Sequence, residues 1–252
     1  MIDKSEEYEA MFKVEADLWW YKILHEKTLN VIKEHFGNRS LKILDAGCGT
    51  GGMLAYLKKN GYDSLRGIDL SEDAVKFTTS RGFDVMRLDL RNIANYPTDI
   101  KFDVIIINDV LCYFNDEEIA HIFKEFRKRL NSNGLIISNN NAMKAFEGVH
   151  SIVLSIPRRF VIAEFQKICE SIKIPIIKHT YWSAFLAPLI WVYRKAQLLF
   201  LKLGILKLEK LSSDVGYPGD VMNTFYYNVV KSEEKILPIA PFGSSLFMVL
   251  KP

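Results

Sequence analysis

Four aspartates, Asp45, Asp69, Asp89 and Asp109, stand at or just past the ends of short apolar runs. The first opens a glycine-rich turn, Asp45-Ala46-Gly47-Cys48-Gly49-Thr50-Gly51-Gly52. Glycine lacks a Cβ, so such a turn reaches dihedrals closed to other residues and lets a ligand approach the backbone. The helix that starts beside Met53 would offer that ligand free N–H groups. Asp69 lies 18 residues beyond Gly51, where an acid accepts hydrogen bonds from ribose hydroxyls. Its competing use, capping the next helix, falls better to Ser71. Asp89, with Leu90 after it, serves equally well as ordinary turn chemistry. The chemistry implied is the holding of a nucleotide-like ligand at the carboxyl edge of a parallel sheet.

The elements that must position these residues alternate regularly. An apolar run at 41–44 precedes the turn and a helix at 53–59 follows it. Further strands are predicted over 65–70 and 83–88, with a helix over 72–81 between them. Residues 102–107 form a continuous β-branched run suited to a central parallel strand. A helix with Ile119, Ile122, Phe123, Phe126 and Leu130 on one face should stop at Asn133-Gly134, before a strand at 135–138 that empties into Asn139-Asn140-Asn141. Strands alternating with helices predict an α/β, doubly wound sheet. Residues 5–36 read as helical, with Trp19, Trp20 and Tyr21 either anchoring that helix on the core or roofing the ligand site.

Beyond the fifth strand a helix is expected over 157–172, a sixth strand over 174–181 and a last, antiparallel edge strand over 243–250. The intervening helical run 189–208 and Gly/Pro/Asp loop 215–220 form an insertion long enough to be a substrate lid or a docking surface. The expected organisation is a helical cap (1–40), a cofactor-binding core (41–182), a helical insertion (183–240) and the last strand of a seven-stranded sheet (241–252).

Composition narrows the class. The 252 residues carry a net charge of +3, too small to argue for nucleic acid. Cys48, Cys112 and Cys169 are three and widely spaced, which supports neither a disulfide framework nor a zinc site, so no metal is expected. The first ten residues lack the pattern of a signal peptide. No run is apolar and long enough to span a bilayer, and a reducing cytoplasm is the expected compartment.

LDAGCGTGG, GIDLS, RLDL, FDVIIINDVL and GLIIS, in that order, resemble the motif set of class I S-adenosylmethionine-dependent methyltransferases over about residues 15–180. Trp19-Trp20, Arg158-Arg159-Phe160 and Pro241-Phe242-Gly243-Ser244-Ser245 resemble a bacterial and archaeal branch of that family. The resemblance implies S-adenosylmethionine as cofactor and S-adenosylhomocysteine as product. It implies that Asp45 and the backbone of Gly47, Cys48, Gly49 and Gly51 hold the methionine part. Asp69 would take the ribose, Leu70 and Leu90 would flank the adenine with Asp89 at its amino group, and Asn108 and Asp109 would face the sulfonium and the acceptor; Trp20 joins this set through the roofing reading above. Relatives commonly carry Glu-His where this chain has Cys112-Tyr113.

Transfer from a sulfonium is an in-line displacement governed by proximity and orientation. A general base is needed for a hydroxyl, acid or carbon acceptor; the candidates are Asp109, Tyr113, His150 and His179. Cys112 reads as a small buried residue. The acceptor class is a small molecule or a lipid- or glycan-linked group, without nucleic acid. Two alternatives stand beside this enzyme: a nicotinamide-dependent oxidoreductase using the same turn, and a cofactor-binding protein without acceptor chemistry. From Ser171 to Leu208 no acidic residue occurs, while Lys173, Lys178, Arg194, Lys195, Lys202 and Lys207 are basic. Segment 183–210 could therefore lie at a membrane surface. Alternatively, Leu189, Val192, Ala196, Leu199 and Leu203 pack on the domain or form a homodimer.

Overall fold

In the computed structural model, which describes residues 5–206 and 216–252, β1 (Lys42–Ala46), β2 (Ser64–Asp69), β3 (Asp84–Arg87), β4 (Phe102–Asn108), β5 (Leu130–Asn141), β6 (Ile176–Trp182) and β7 (Ser245–Leu250) form one sheet in the order β3-β2-β1-β4-β5-β7-β6. The pairs from β3 to β5 are parallel, and β7 runs antiparallel to both β5 and β6. The last strand in sequence therefore sits inside the sheet, and β6 forms the edge.

Successive side chains of a strand face opposite ways, and β4 shows the result. Ile105 and Ile107 pack into one core with Ile119, Phe123 and Phe126 of α5 (Asp116–Arg129) and Phe165 of α7 (Ile162–Ser171). Val104 and Ile106 face the other, with Ile23 and Ile32 of α2 (Trp19–Phe36) and Leu54 and Leu57 of α3 (Gly52–Lys59). Both faces are covered, so the strand reads as an unbroken apolar run. The helix after β2, α4 (Glu72–Ser80), is capped by Ser71, whose Oγ accepts from the Ala74 N–H at 3.4 Å. Asn115 and Glu118 form a reciprocal capping box on α5.

Several boundaries depart from the sequence expectation. The helix over 5–36 is two, α1 (Ser5–Val14) and α2, because Glu15 turns inward and Leu18 is extended and buried. The fifth helix ends at Arg129 rather than at 133–134. Leu130 already pairs with Phe102, and residues 131–134 bulge before Leu135 meets Val104. Residues 157–161 are not helical: Phe160 bridges to Ala142 and Val161 is extended, so α7 begins only at Ile162. A short helix, α6 (Val149–Val153), precedes it. The basic run becomes α8 (Ala187–Lys202), and the parts of the expected run and loop at 207–215 lie outside the described residues.

A further helix, α9 (Asp220–Ile236), packs on α2. Leu18 gives α2 no side-chain cap, and Asn223 of α9 replaces it: its Oδ1 accepts from Trp19 N–H at 2.7 Å while its Nδ2 donates to the Asp17 carbonyl at 2.9 Å. Lys27–Glu234 at 2.8 Å and Lys231–Glu26 at 3.1 Å continue this contact.

Candidate active site

The turn after β1 is pinned from below. Gly47 and Cys48 N–H both donate to the Ile68 carbonyl, at 2.7 and 3.0 Å. Gly47 has φ +85°, and a Cβ there would lie 2.3 Å from Val110 Cγ2, so both its dihedral and its crowding require glycine. Asp69 closes the turn from the side. Its carboxylate accepts from Gly49 N–H and Ser71 N–H, each at 2.9 Å, and Thr78 Oγ1 donates to the Gly49 carbonyl at 2.8 Å. Glu15, buried, accepts from Thr50 Oγ1 at 2.6 Å and pairs with Arg81.

Above the turn is a cavity of about 840 Å³ at the carboxyl ends of β1, β2 and β4. It lies where the strand order reverses between β1 and β4, the position at which doubly wound sheets bind ligands. Asp45, Asp69, Asp89 and Asp109 all line it, with Gly47, Cys48, Gly49, Leu70, Leu90 and Asn108. Asp45 is buried, and among the described residues no side-chain hydrogen bond reaches its carboxylate. Burial first, then the charges of Asp69 and Glu15, push it up to about 8. Burial also raises Asp69, against its backbone hydrogen bonds. Asp89 caps a 3-10 turn at Leu90–Asn95 through the Arg91 N–H at 2.9 Å and pairs with the Arg91 guanidinium at 3.3 Å. Cys48 packs its Sγ 3.7 Å from Thr78 Oγ1, and burial holds its thiol well above the usual range.

Asp109 sits just past β4 in the left-handed region, at φ 56°, a strained conformation for a non-glycine residue that concentrates at functional sites. The neighbouring strand fixes it: Asp109 N–H donates to the Asn139 carbonyl at 2.7 Å, and Asn139 Nδ2 donates to Asp109 Oδ2 at 2.8 Å. Asn139 in turn accepts from Trp182 Nε1 at 2.9 Å, and its N–H donates to Asn108 Oδ1 at 2.9 Å. Burial pushes Asp109 up to about 7, while the Asn139 bond and the charge of Arg159 pull it down.

Trp20 stacks on Trp182 with ring centroids 5.6 Å apart, and Trp19 lies 5.8 Å from Tyr226 of α9. Both tryptophans and Tyr21 also line the cavity. These rings thus pack on neighbouring aromatics, as the anchoring reading expects, and also line the cavity. His25, on the same wall, is lowered to about 3 by burial and so stays neutral.

Tyr113 and His150 also line the cavity, and the Tyr113 hydroxyl donates to the Leu154 carbonyl at 2.9 Å. His179 lies apart, on edge strand β6. Cys112 is buried, its thiol pushed up to about 12. The sequence reading missed Glu15, Asn139, Trp182 and Asn223. Only the Asn139–Asn141 run carried a signal, a polar cluster at a strand end. Of the motifs noted beside the turn, Arg159, Ser244 and Ser245 reach the cavity, whereas Arg158 pairs with Asp116 and Glu164, each at 2.8 Å.

Residues 43–134 match the family described as a methyltransferase domain. Among curated proteins, the malonyl-[acyl-carrier protein] O-methyltransferase of Priestia megaterium is 23% identical over 175 residues, covering 64% of this chain and 63% of that protein. The ubiquinone biosynthesis O-methyltransferase of Neisseria meningitidis serogroup C is 30% identical over 109 residues, 40% of this chain and 42% of that protein. The matched stretches thus span less than two thirds of either relative. Among solved structures, the plantazolicin methyltransferase BpumL in complex with SAH superposes with a TM-score of 0.60 at 17% identity, over 98% of this chain and 89% of the other. A SAM-dependent methyltransferase from Archaeoglobus fulgidus gives 0.56 at 16% identity, over 92% and 94%.

Proposed function

We propose that this chain, which carries a methyltransferase domain over residues 43–134 on the class I S-adenosylmethionine-dependent fold, transfers a methyl group from S-adenosylmethionine to a small-molecule or lipid- or glycan-linked acceptor. One observation carries the reading: Asp45, Asp69 and Asp109, from the ends of three adjacent strands, converge with the glycine turn on a single cavity.

The residues fit the cofactor. A buried carboxylate without a hydrogen-bond partner among the described residues, Asp45, suits the ammonium of the methionine part. Each Asp69 oxygen accepts one N–H; a carboxylate offers about four acceptor positions, which leaves capacity for a ribose diol. Leu70 and Leu90 would flank the adenine, with Asp89 near its amino group. When bound, S-adenosylmethionine supplies a methyl already activated on sulfur. The protein's part is to orient the acceptor and exclude water, a role that suits Trp20. Asp109, held by Asn139 and pushed up to about 7 by burial, suits a general base for an acceptor that must lose a proton, with Tyr113 and His150 as the other candidates on the cavity wall. The methyltransferase-domain match favours this reading over a nicotinamide oxidoreductase, and the Asp109 arrangement favours it over a protein that only binds cofactor.

The outer face of α8 supports a second element of the reading, peripheral membrane contact through 183–210. Leu189, Val192, Leu199 and Leu203 are each more than half exposed, so they do not pack on the domain as one sequence alternative had it. A homodimer through this face is the competing outcome.

Calorimetry with S-adenosylmethionine, S-adenosylhomocysteine and NAD tests the cofactor. The first two should bind and NAD should not. Asp69→Ala should weaken binding by about 1.5–3 kcal/mol, the range for hydrogen bonds to a charged group. A folded variant with unchanged affinity would remove Asp69 from the ribose role.

A further inference from the structure

Glu15 stands where the N-terminal helices divide, between α1 and α2, and its side chain is buried. Its Oε1 accepts from Thr50 Oγ1 of the glycine turn at 2.6 Å and from Arg81 Nη2, just past the end of α4. Its Oε2 lies against the first residue of α3, since a Cβ on Gly52 would come 2.3 Å from it. One carboxylate therefore meets three positions that are far from it in sequence. Arg81 extends the contact to α1. Its Nη2 also donates to the Phe12 carbonyl at 3.5 Å, and its guanidinium lies 4.3 Å from the centre of the Phe12 ring. Phe12 in turn packs on Phe77 of α4, with ring centroids 4.8 Å apart.

A carboxylate is unfavourable in this place. Burial raises Glu15, and the Thr50 hydroxyl, the Arg81 charge and the Gly52 N–H offset this only in part. After burial and the charge of Asp69, Glu15 is also the third influence that raises Asp45. Well-packed apolar side chains are often at least as stabilising as a buried ion pair. What they lack is the means to draw a hydroxyl, a helix N-terminus and a guanidinium to one point. Thr50 lies between Gly49 and Gly51 and is fully buried. Glu15, Tyr8 and Met11 reach the cavity wall, whereas Thr50 and Arg81 lie outside the lining. Met11 Sδ sits 3.4 Å from where a Gly49 Cβ would stand, so α1 rests directly on the turn.

We infer that Glu15 is a positioning residue for the cofactor: its carboxylate clamps α1 and α4 onto Thr50 and Gly52, which fixes the glycine-turn backbone and sets Tyr8 and Met11 beside it. This rests on the S-adenosylmethionine reading for what is positioned, but the clamp itself can be tested on the ligand-free chain. Hydrogen exchange, read by mass spectrometry on the full chain, should rise about tenfold over residues 5–18 and 47–56 in Glu15→Gln and stay at wild-type rates in β5. Calorimetry should show S-adenosylhomocysteine binding weakened by about tenfold or more in Glu15→Gln. Thr50→Val and Arg81→Gln, which alter no residue of the cavity wall, should each weaken it by about threefold or more. Glu15→Gln/Thr50→Val should match Glu15→Gln alone within about twofold, because both changes break one contact. Thermal melting checks folding, and should Glu15→Gln unfold, Thr50→Val and Arg81→Gln decide by the same two measurements.

The inference is overturned if Glu15→Gln leaves exchange in both segments unchanged. It is also overturned if exchange rises while S-adenosylhomocysteine binds as tightly as to wild type, since Glu15 then serves stability alone. Loss of affinity in Glu15→Gln but in neither Thr50→Val nor Arg81→Gln overturns it as well, because Glu15 then touches the cofactor directly. A wild-type chain that binds no S-adenosylhomocysteine, with exchange still raised in Glu15→Gln, keeps the clamp and discards the cofactor reading.

Discussion

Asp45 shows what one side chain costs the fold and returns to the ligand. An exposed aspartate titrates near 4, whereas burial raises Asp45 to about 8. Between those values the folded chain holds a proton that the unfolded chain has released. The stability this contributes is complete below about pH 4, is lost progressively as pH rises from 4, and is gone above about 8. Asp45→Asn cannot ionise, so the ligand-free variant should melt well above wild type at pH 8.5 and above it by only a fraction of that margin at pH 5. It should also bind S-adenosylmethionine more weakly, since a neutral amide replaces the carboxylate expected at the ammonium. Scanning calorimetry at the two pH values, with titration of the cofactor, checks both halves. Equal destabilisation at both pH values would mean that Asp45 is held by packing rather than charge.

At the level of elements, the adjoining ends of β4 and β5 work as a unit. Asn139 touches Asp109 and Trp182 at once, so Asn139→Ala removes the carboxylate's donor and strands a buried indole N–H. Each unsatisfied buried group costs about 1–3 kcal/mol, so the variant should lose roughly 2–4 kcal/mol in urea unfolding. Asp109 should titrate above its wild-type value, followed by carboxyl carbon resonances; an unmoved midpoint would show that Asn139 does not tune it. The sequence revealed β1, β2 and β4 because each is an apolar run closed by an acid, and the local pattern records both facts. It concealed α9: two of its three buried residues, Asn223, Val230 and Glu233, are polar, so its contact with the rest of the fold is not marked by apolar residues alone. Glu15 was equally hidden, because its partners Thr50 and Arg81 are 35 and 66 residues away and no local periodicity encodes such a meeting. The helix limits at 129 and 162 escaped for a related reason, since strand pairings rather than local propensity set them.

Across the whole molecule, α8 leaves Trp191 and Phe200 exposed in the same helix as Lys195 and Lys202, and α9 leaves Val221 and Phe225 exposed. No helix among the described residues is long and apolar enough to cross a membrane, so contact with a bilayer would be at its surface. Co-sedimentation with anionic vesicles should occur at low salt, fall at moderate salt and fall again in Lys195→Glu/Lys202→Glu. Absence of sedimentation at low salt, with a discrete dimer by light scattering, would assign the face to self-association. The cap that Asn223 places on α2 also sets an order in time. Its partner Trp19 lies 204 residues earlier in the chain, and β7, made after the other six strands, occupies an interior place in the sheet. On the ribosome, β1 to β4 can pair while the tryptophan wall still has an unsecured first turn. A nascent chain halted before α9 would carry the glycine turn beside an uncapped α2, and only the emergence of α9 would supply the Asn223 cap.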